Sequence, residues 1–182
     1  MIFPPEFLVF LLAMAPISEL RGAIPTGVAI FGLSFWKVFC IAFFGNLIPV
    51  ALILLFLEPV SKFLRKNSKF FDRFFNWLFE KTRKKVSPKI KNYEKLGLTL
   101  FVAIPLPITG GWTGAVAAFL LGLPFKVAFP LITIGVFIAG VIVSILTLSG
   151  VAIGEVFGWV TFVLAILVIL FFYFLYKLIT KK

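Results

Sequence analysis

Histidine is absent from this 182-residue chain, and cysteine occurs once, as Cys40 within an apolar run. The first absence excludes a histidine-ligated metal site and a Ser-His pair built from this chain alone. The second excludes an internal disulfide and says little about redox compartment. Acidic residues are also scarce, 7 against 18 lysines and arginines, for a net charge of +11. Charged residues make up only 14% of the chain while 62% is hydrophobic, against about 45–50% in a soluble domain. So little charge cannot wet the surface of a globule; a lipid solvent removes the need. The chain reads as one all-α integral membrane domain, residues 1–182, of an inner or plasma membrane. No P-loop, metal-ligand cluster or nucleophile constellation is visible, so neither an enzyme nor a cofactor is expected. No basic residue precedes the first apolar stretch, and a cleaved signal peptide is not expected.

The charge that is present is concentrated. Twelve of the 18 basic residues lie between Lys62 and Lys95. In a membrane chain this marks a cytoplasmic segment near anionic headgroups, and nucleic acid is not an expected partner. Within 60–95, Phe63, Phe70, Phe71, Phe74, Phe75, Trp77, Leu78 and Phe79 interleave with lysine and arginine. Phe63, Phe70, Phe74 and Trp77/Leu78 recur at roughly helical spacing. An amphipathic helix on the membrane interface fits best, with a partner-binding helix as the alternative.

A spanning helix needs about 20 apolar residues. Residues 36–58, 126–149 and 157–178 satisfy this; 6–34 and 96–125 are apolar but interrupted. Pro16, Glu19, Arg21, Gly22, Pro25 and Gly27 interrupt the first. Pro105, Pro107, Thr109, Gly110, Gly111, Trp112, Thr113 and Gly114 interrupt the second. Prolines remove backbone hydrogen bonds, so each segment is expected to be two half-helices around a polar tip, a re-entrant hairpin. Pro16 precedes Gly22 by six residues, as Pro105 precedes Gly111, and a span follows each hairpin. Hairpin plus span is thus used twice, as repeat one (3–58) and repeat two (96–149), with 157–178 an extra C-terminal helix.

Orientation follows from charge. With 60–95 inside, the first hairpin enters from outside and the second from inside, and the C-terminus is cytoplasmic. The repeats are then inverted, an arrangement found in secondary transporters with broken helices meeting near the midplane. Trp36 and Trp159 suit the interfacial aromatic belt.

Glu19 and Arg21 are the most informative residues. A charge at the bilayer centre costs about 2.5–3.5 kcal/mol on insertion scales. At a tip, half-helix N–H groups beside an arginine form an anion site. Ser18, Arg21 and Gly22 are the expected substrate-binding residues there, and Glu19 the proton-coupling acid. The plainer alternative is a structural ion pair that pins the hairpin. Thr109, Gly110, Gly111, Trp112 and Thr113 supply donors, flexible backbone and an aromatic face to the opposite tip, or simply a tight helix break. Asn46, inside the first span, either lines the cavity or joins helices. Glu155 reads as a solvated turn, and Asp72, Glu80 and Glu94 as loop salt bridges.

The run Ser18-Glu19-Leu20-Arg21-Gly22-Ala23-Ile24-Pro25, with Pro105-Leu106-Pro107 and Thr109-Gly110-Gly111-Trp112-Thr113-Gly114, resembles the small multidrug export proteins over essentially the whole chain. That family is similar to the DedA/VTT superfamily. The resemblance implies two opposed re-entrant hairpins, phospholipid or undecaprenyl phosphate translocation, and dependence on the proton gradient. It also implies an acidic residue at the first hairpin, which Glu19 matches, and arginines near the second, where this sequence has none.

Three functions compete. The first is a proton-coupled transporter or flippase for an anionic amphiphile such as a lipid phosphate. The second is a drug or cation/proton antiporter using Glu19. The third is a non-transporting membrane-organising protein acting through 60–95. The expected partners are membrane lipids and a small amphiphilic substrate, and a homo-oligomer is compatible with the sequence.

Overall fold

A computed structural model describes residues 3–83, 91–106 and 109–149, excluding the side chains of 81–83 and 91–94. Two compact units divide the chain, Met1–Ile145 and Leu146–Lys182. The expected span 157–178, Glu155, Trp159 and Pro107 lie outside the described residues. Among the described residues the chain is helical and has no strand.

Helix α1 (Pro5–Met14) begins on a proline and stops at Ala15. Ala15 is extended, ψ 136°, because the ring of Pro16 crowds the residue before it out of the helical region. Helix α2 (Glu19–Pro25) follows the break and runs into a π-helical turn, Thr26–Ile30. Pro25 has no N–H to continue the α ladder, and the next turn widens, Phe31 N donating to Thr26 O at 3.0 Å. The expected half-helices of the first interrupted segment are thus α1 and α2, the second extended by a π turn.

Helix α3 (Phe35–Asn67) is longer than the expected 36–58 span. It continues through Pro59, whose ring removes one ladder bond only. Just beyond, Ser61 Oγ donates to Glu58 O at 2.8 Å and Lys62 pairs with the Glu58 carboxylate at 2.7 Å. The basic stretch 60–95 is therefore the end of α3, helix α4 (Lys69–Arg83) and the start of helix α5 (Lys91–Ala103). After a second break, where Ile104–Leu106, Thr109 and Gly110 lie outside any helix, come α6 (Gly111–Leu121) and α7 (Phe125–Leu148).

Packing joins the two interrupted segments. Helix α1 lies on α2 and α3, and α6 on α3, α4 and α5. Val9, Ala13, Ile24, Val38, Val50, Val102 and Ile132 form the shared core. Helix α7 joins through Phe137, edge-on to Phe39 and Phe43, and through Leu131 O, which accepts from Thr99 Oγ1.

The outer surface is also apolar. Phe44, Leu52, Leu55 and Phe56 of α3 and Ile134, Phe137 and Ile145 of α7 are exposed. Monomers in water rarely show so much contiguous apolar surface. Helices α3 and α7 are long and apolar enough to cross a membrane.

Helix α4 is apolar on two sides. Its Phe75 and Phe79 meet Phe119 of α6 edge-on, with centroids 6.4 and 5.4 Å away. Arg65 donates to Asp72 and Asn76 and lies over the Phe79 ring. Phe70, Phe74 and Trp77, one helical stripe, are exposed.

Candidate functional site

The two breaks meet. Glu19 opens α2 with φ +47°, a left-handed backbone that a glutamate seldom adopts and that costs roughly 1–3 kcal/mol. The conformation turns its side chain away from its own segment and onto the start of α6. There the carboxylate accepts from the backbone N–H groups of Gly111, at 3.4 Å, and Trp112, at 3.3 Å. Both exceed the usual span of about 2.7–3.2 Å, so the carboxylate covers the helix end loosely. The first N–H groups of a helix need an outside acceptor. Gly110, at the capping position, has no side chain to offer. Glu19 supplies the cap from the other interrupted segment.

Glycine is required at this contact for two reasons. Gly110 has φ +141°, and a Cβ on it would overlap the Glu19 carboxylate. A Cβ on Gly111 would stand 2.5 Å from Asn46 Oδ1 and 2.7 Å from Val50.

Arg21 and Glu19 are 3.8 Å apart at their closest, with side chains 15% and 6% exposed. The pair is not a closed clasp. Arg21 Nη1 donates to Leu106 O in the second break, while Glu19 turns to α6. Both charges thus bond backbone of the second interrupted segment, Arg21 in its break and Glu19 at the start of α6. The traffic is mutual: Trp112 Nε1 donates to Met14 O at the end of α1, at 3.1 Å. Asn46 Nδ2, from α3, donates to Ala13 O at 3.2 Å. Broken helices expose carbonyls and amides that lipid cannot satisfy, so side chains of the opposite segment take them.

The other expected site residues have local roles. Ser18 Oγ donates to Leu12 O and holds the first break closed. Gly22 packs against Ser18, with no room for a Cβ. Thr109 Oγ1 donates to Ile104 O and accepts from Leu106 N, ordering the second break, and Thr113 Oγ1 donates to Gly110 O. Pro16 and Pro25 sit in the first break and at the end of α2, and Pro105 in the second break.

A narrow cleft with room for about one water molecule opens beside the contact. It is lined by Glu19, Arg21, Thr109, Gly110 and Gly111, and by the apolar Pro105, Leu20, Val102, Val136 and Ala139. Sequence reasoning did not single out the last four, which carry no signal apart from the apolar character of their helices.

Among the described residues, an all-helical fold with two membrane-length, outwardly apolar helices and a buried carboxylate bonded across two broken segments points to a membrane protein. The chain belongs to the small multi-drug export protein family: residues 19–142 match the family described as "Putative small multi-drug export protein". The match spans every residue that lines the cleft. The description makes the coarse role that of an exporter, a transporter. No curated protein and no solved structure matches the chain.

Proposed function

We propose that the chain is a proton-coupled transporter or flippase for an anionic amphiphile, with a lipid phosphate such as undecaprenyl phosphate or a phospholipid as the favoured substrate. One observation carries this reading. A buried helix N-terminus and an arginine face the same cleft, and both favour negative charge. Arg21 and the amides of Gly111 and Trp112 bind the headgroup, the apolar wall takes the start of the tail, and Glu19 couples movement to protons. The similarity of the small multidrug export family to the DedA/VTT superfamily supports a lipid substrate, with Glu19 in the acidic role at the first break, although the second break lacks the superfamily's arginines. In this reading the interrupted segments are inverted re-entrant hairpins in an inner or plasma membrane, with 60–95 and the C-terminus cytoplasmic. The protein transports and does not catalyse.

The family description favours a second reading, export of organic cations in exchange for protons at Glu19. A guanidinium within 3.8 Å of that carboxylate weighs against it, since it repels a cation. The test uses the full-length protein in proteoliposomes under an imposed pH gradient. Movement of a fluorescent alkyl phosphate is compared with that of a matching quaternary ammonium. The phosphate should move in a gradient-dependent way, and Arg21→Lys should slow it roughly tenfold or more, because the planar fork is lost. Movement of the ammonium alone would overturn the reading.

A further inference from the structure

Glu19 already occupies an anion site. Its carboxylate takes the Gly111 and Trp112 amides and faces Arg21, the same donors that the proposed function assigns to a substrate headgroup. A carboxylate and a headgroup cannot both use them, because two anions in a site of low dielectric repel strongly. Transport of an anion through this cleft therefore needs a way to move Glu19 aside.

Asn46 supplies one. It is fully buried, and its Oδ1 has no hydrogen-bond partner among the described residues. That oxygen is aimed at the first turn of α6, 2.5 Å from where a Cβ on Gly111 would stand, next to Gly110, whose own Cβ would meet the Glu19 carboxyl. A buried acceptor without a donor is unusual. The donor that would satisfy it is an O–H, and the protonated Glu19 carboxyl provides one. Among the described residues lining the cleft, Glu19 and Arg21 are the ionisable ones, and those from α5, α6 and α7 are not ionisable. Glu6 of α1 and Lys37 of α3 pair with each other instead.

We propose that Glu19 is a resident plug of the anion site, exchanged for substrate by protonation. A proton from the aqueous phase binds Glu19, whose new O–H donates to Asn46 Oδ1. The α6 amides and Arg21 then accept an anionic headgroup. On release the proton leaves and the carboxylate returns to α6. One proton enters with each anion, so the coupling is a consequence of competition for one set of donors. This inference rests on the anionic reading of the site.

The test is a binding titration of the full-length protein in uncharged detergent, weakly buffered and followed with a pH indicator. The probes are octyl sulfonate and inorganic sulfate, which keep their charge from acid to neutral pH. Wild-type protein should take up one proton per anion and lose affinity about tenfold per pH unit above its midpoint. Glu19→Gln should bind with the affinity of acidified wild type at every pH, and take up no proton. Asn46→Leu should weaken anion-coupled proton uptake, since the protonated carboxyl loses its acceptor. If that variant does not fold, Glu19→Gln decides alone. Sulfate binding as tight as sulfonate keeps the exchange and assigns the site to free oxyanions; weaker sulfate binding keeps it and assigns the site to amphiphile headgroups. Anion binding by wild type without proton uptake, or no gain in neutral-pH affinity for Glu19→Gln, overturns the exchange and leaves anion transport standing. Absence of binding at any pH overturns both.

Discussion

At the scale of single residues, two unusual backbone conformations face each other. Glu19 at φ +47° and Gly110 at φ +141° let a carboxylate from one helix break cover the helix that starts at the other. Gly32 is also left-handed, φ +62°, but nothing lies within 4 Å of a Cβ placed there. The two glycines therefore separate strain from collision. Gly32→Ala should cost only the conformational penalty, about 1–2 kcal/mol. Gly110→Ala adds a clash with the Glu19 carboxylate and should lower the melting temperature further, with loss of transport; equal shifts would contradict this account of the contact. Glu19 and Arg21 were legible in the sequence because charge inside an apolar run stands out. Their partners were not: Leu106 offers a carbonyl and Gly111 an amide, groups that every residue has. Asn46 stood out as a polar residue in a span, yet its two roles were resolved only by the fold, which gives Nδ2 to Ala13 O and leaves Oδ1 without a donor among the described residues.

Among the elements, the helix breaks were the legible part, because proline acts locally. Pro16 forces Ala15 out of the helix, and Pro25 is followed by a π turn. Boundaries set by packing were less legible. Pro59 does not end α3, which runs to Asn67, and the basic stretch is shared among three helices. Helix α4 shows why. The stripe read from the sequence, Phe70, Phe74 and Trp77, is exposed, whereas Phe75 and Phe79, outside that stripe, serve the protein through Phe119. Truncation should distinguish the faces. Phe75→Ala is expected to destabilise by about 2 kcal/mol, below the 3–5 of a fully buried phenylalanine, since Phe75 is half-buried. Phe74→Ala should leave the melting temperature in detergent within a degree or two of wild type. If α4 lies on an anionic interface, a peptide of residues 69–83 should bind anionic vesicles, with affinity falling as salt rises, at roughly 1 kcal/mol per basic residue. Equal binding to neutral vesicles would contradict that placement.

For the molecule as a whole, composition alone made the membrane class legible, because 14% charge cannot cover a water-facing surface. Helices α3 and α7 bear that out with exposed apolar faces. Sidedness is a matter of charge asymmetry and is directly measurable. In a Cys40→Ala background, cysteines at Phe3 and Lys181 should be labelled by an impermeant reagent from opposite sides, the first outside and the second inside. Labelling of both from one side would contradict the inverted arrangement. The central claim is that Glu19 and Arg21 form a working site and are not merely a clasp between segments. A double-mutant cycle on Glu19→Gln and Arg21→Gln, scoring melting temperature and proteoliposome transport separately, tests it most directly. A site that works loses transport in single mutants that stay folded, and the double mutant does not regain it. A clasp loses stability in both single mutants, where one charge is left uncompensated, and the double mutant recovers stability with transport intact; that result would contradict the account.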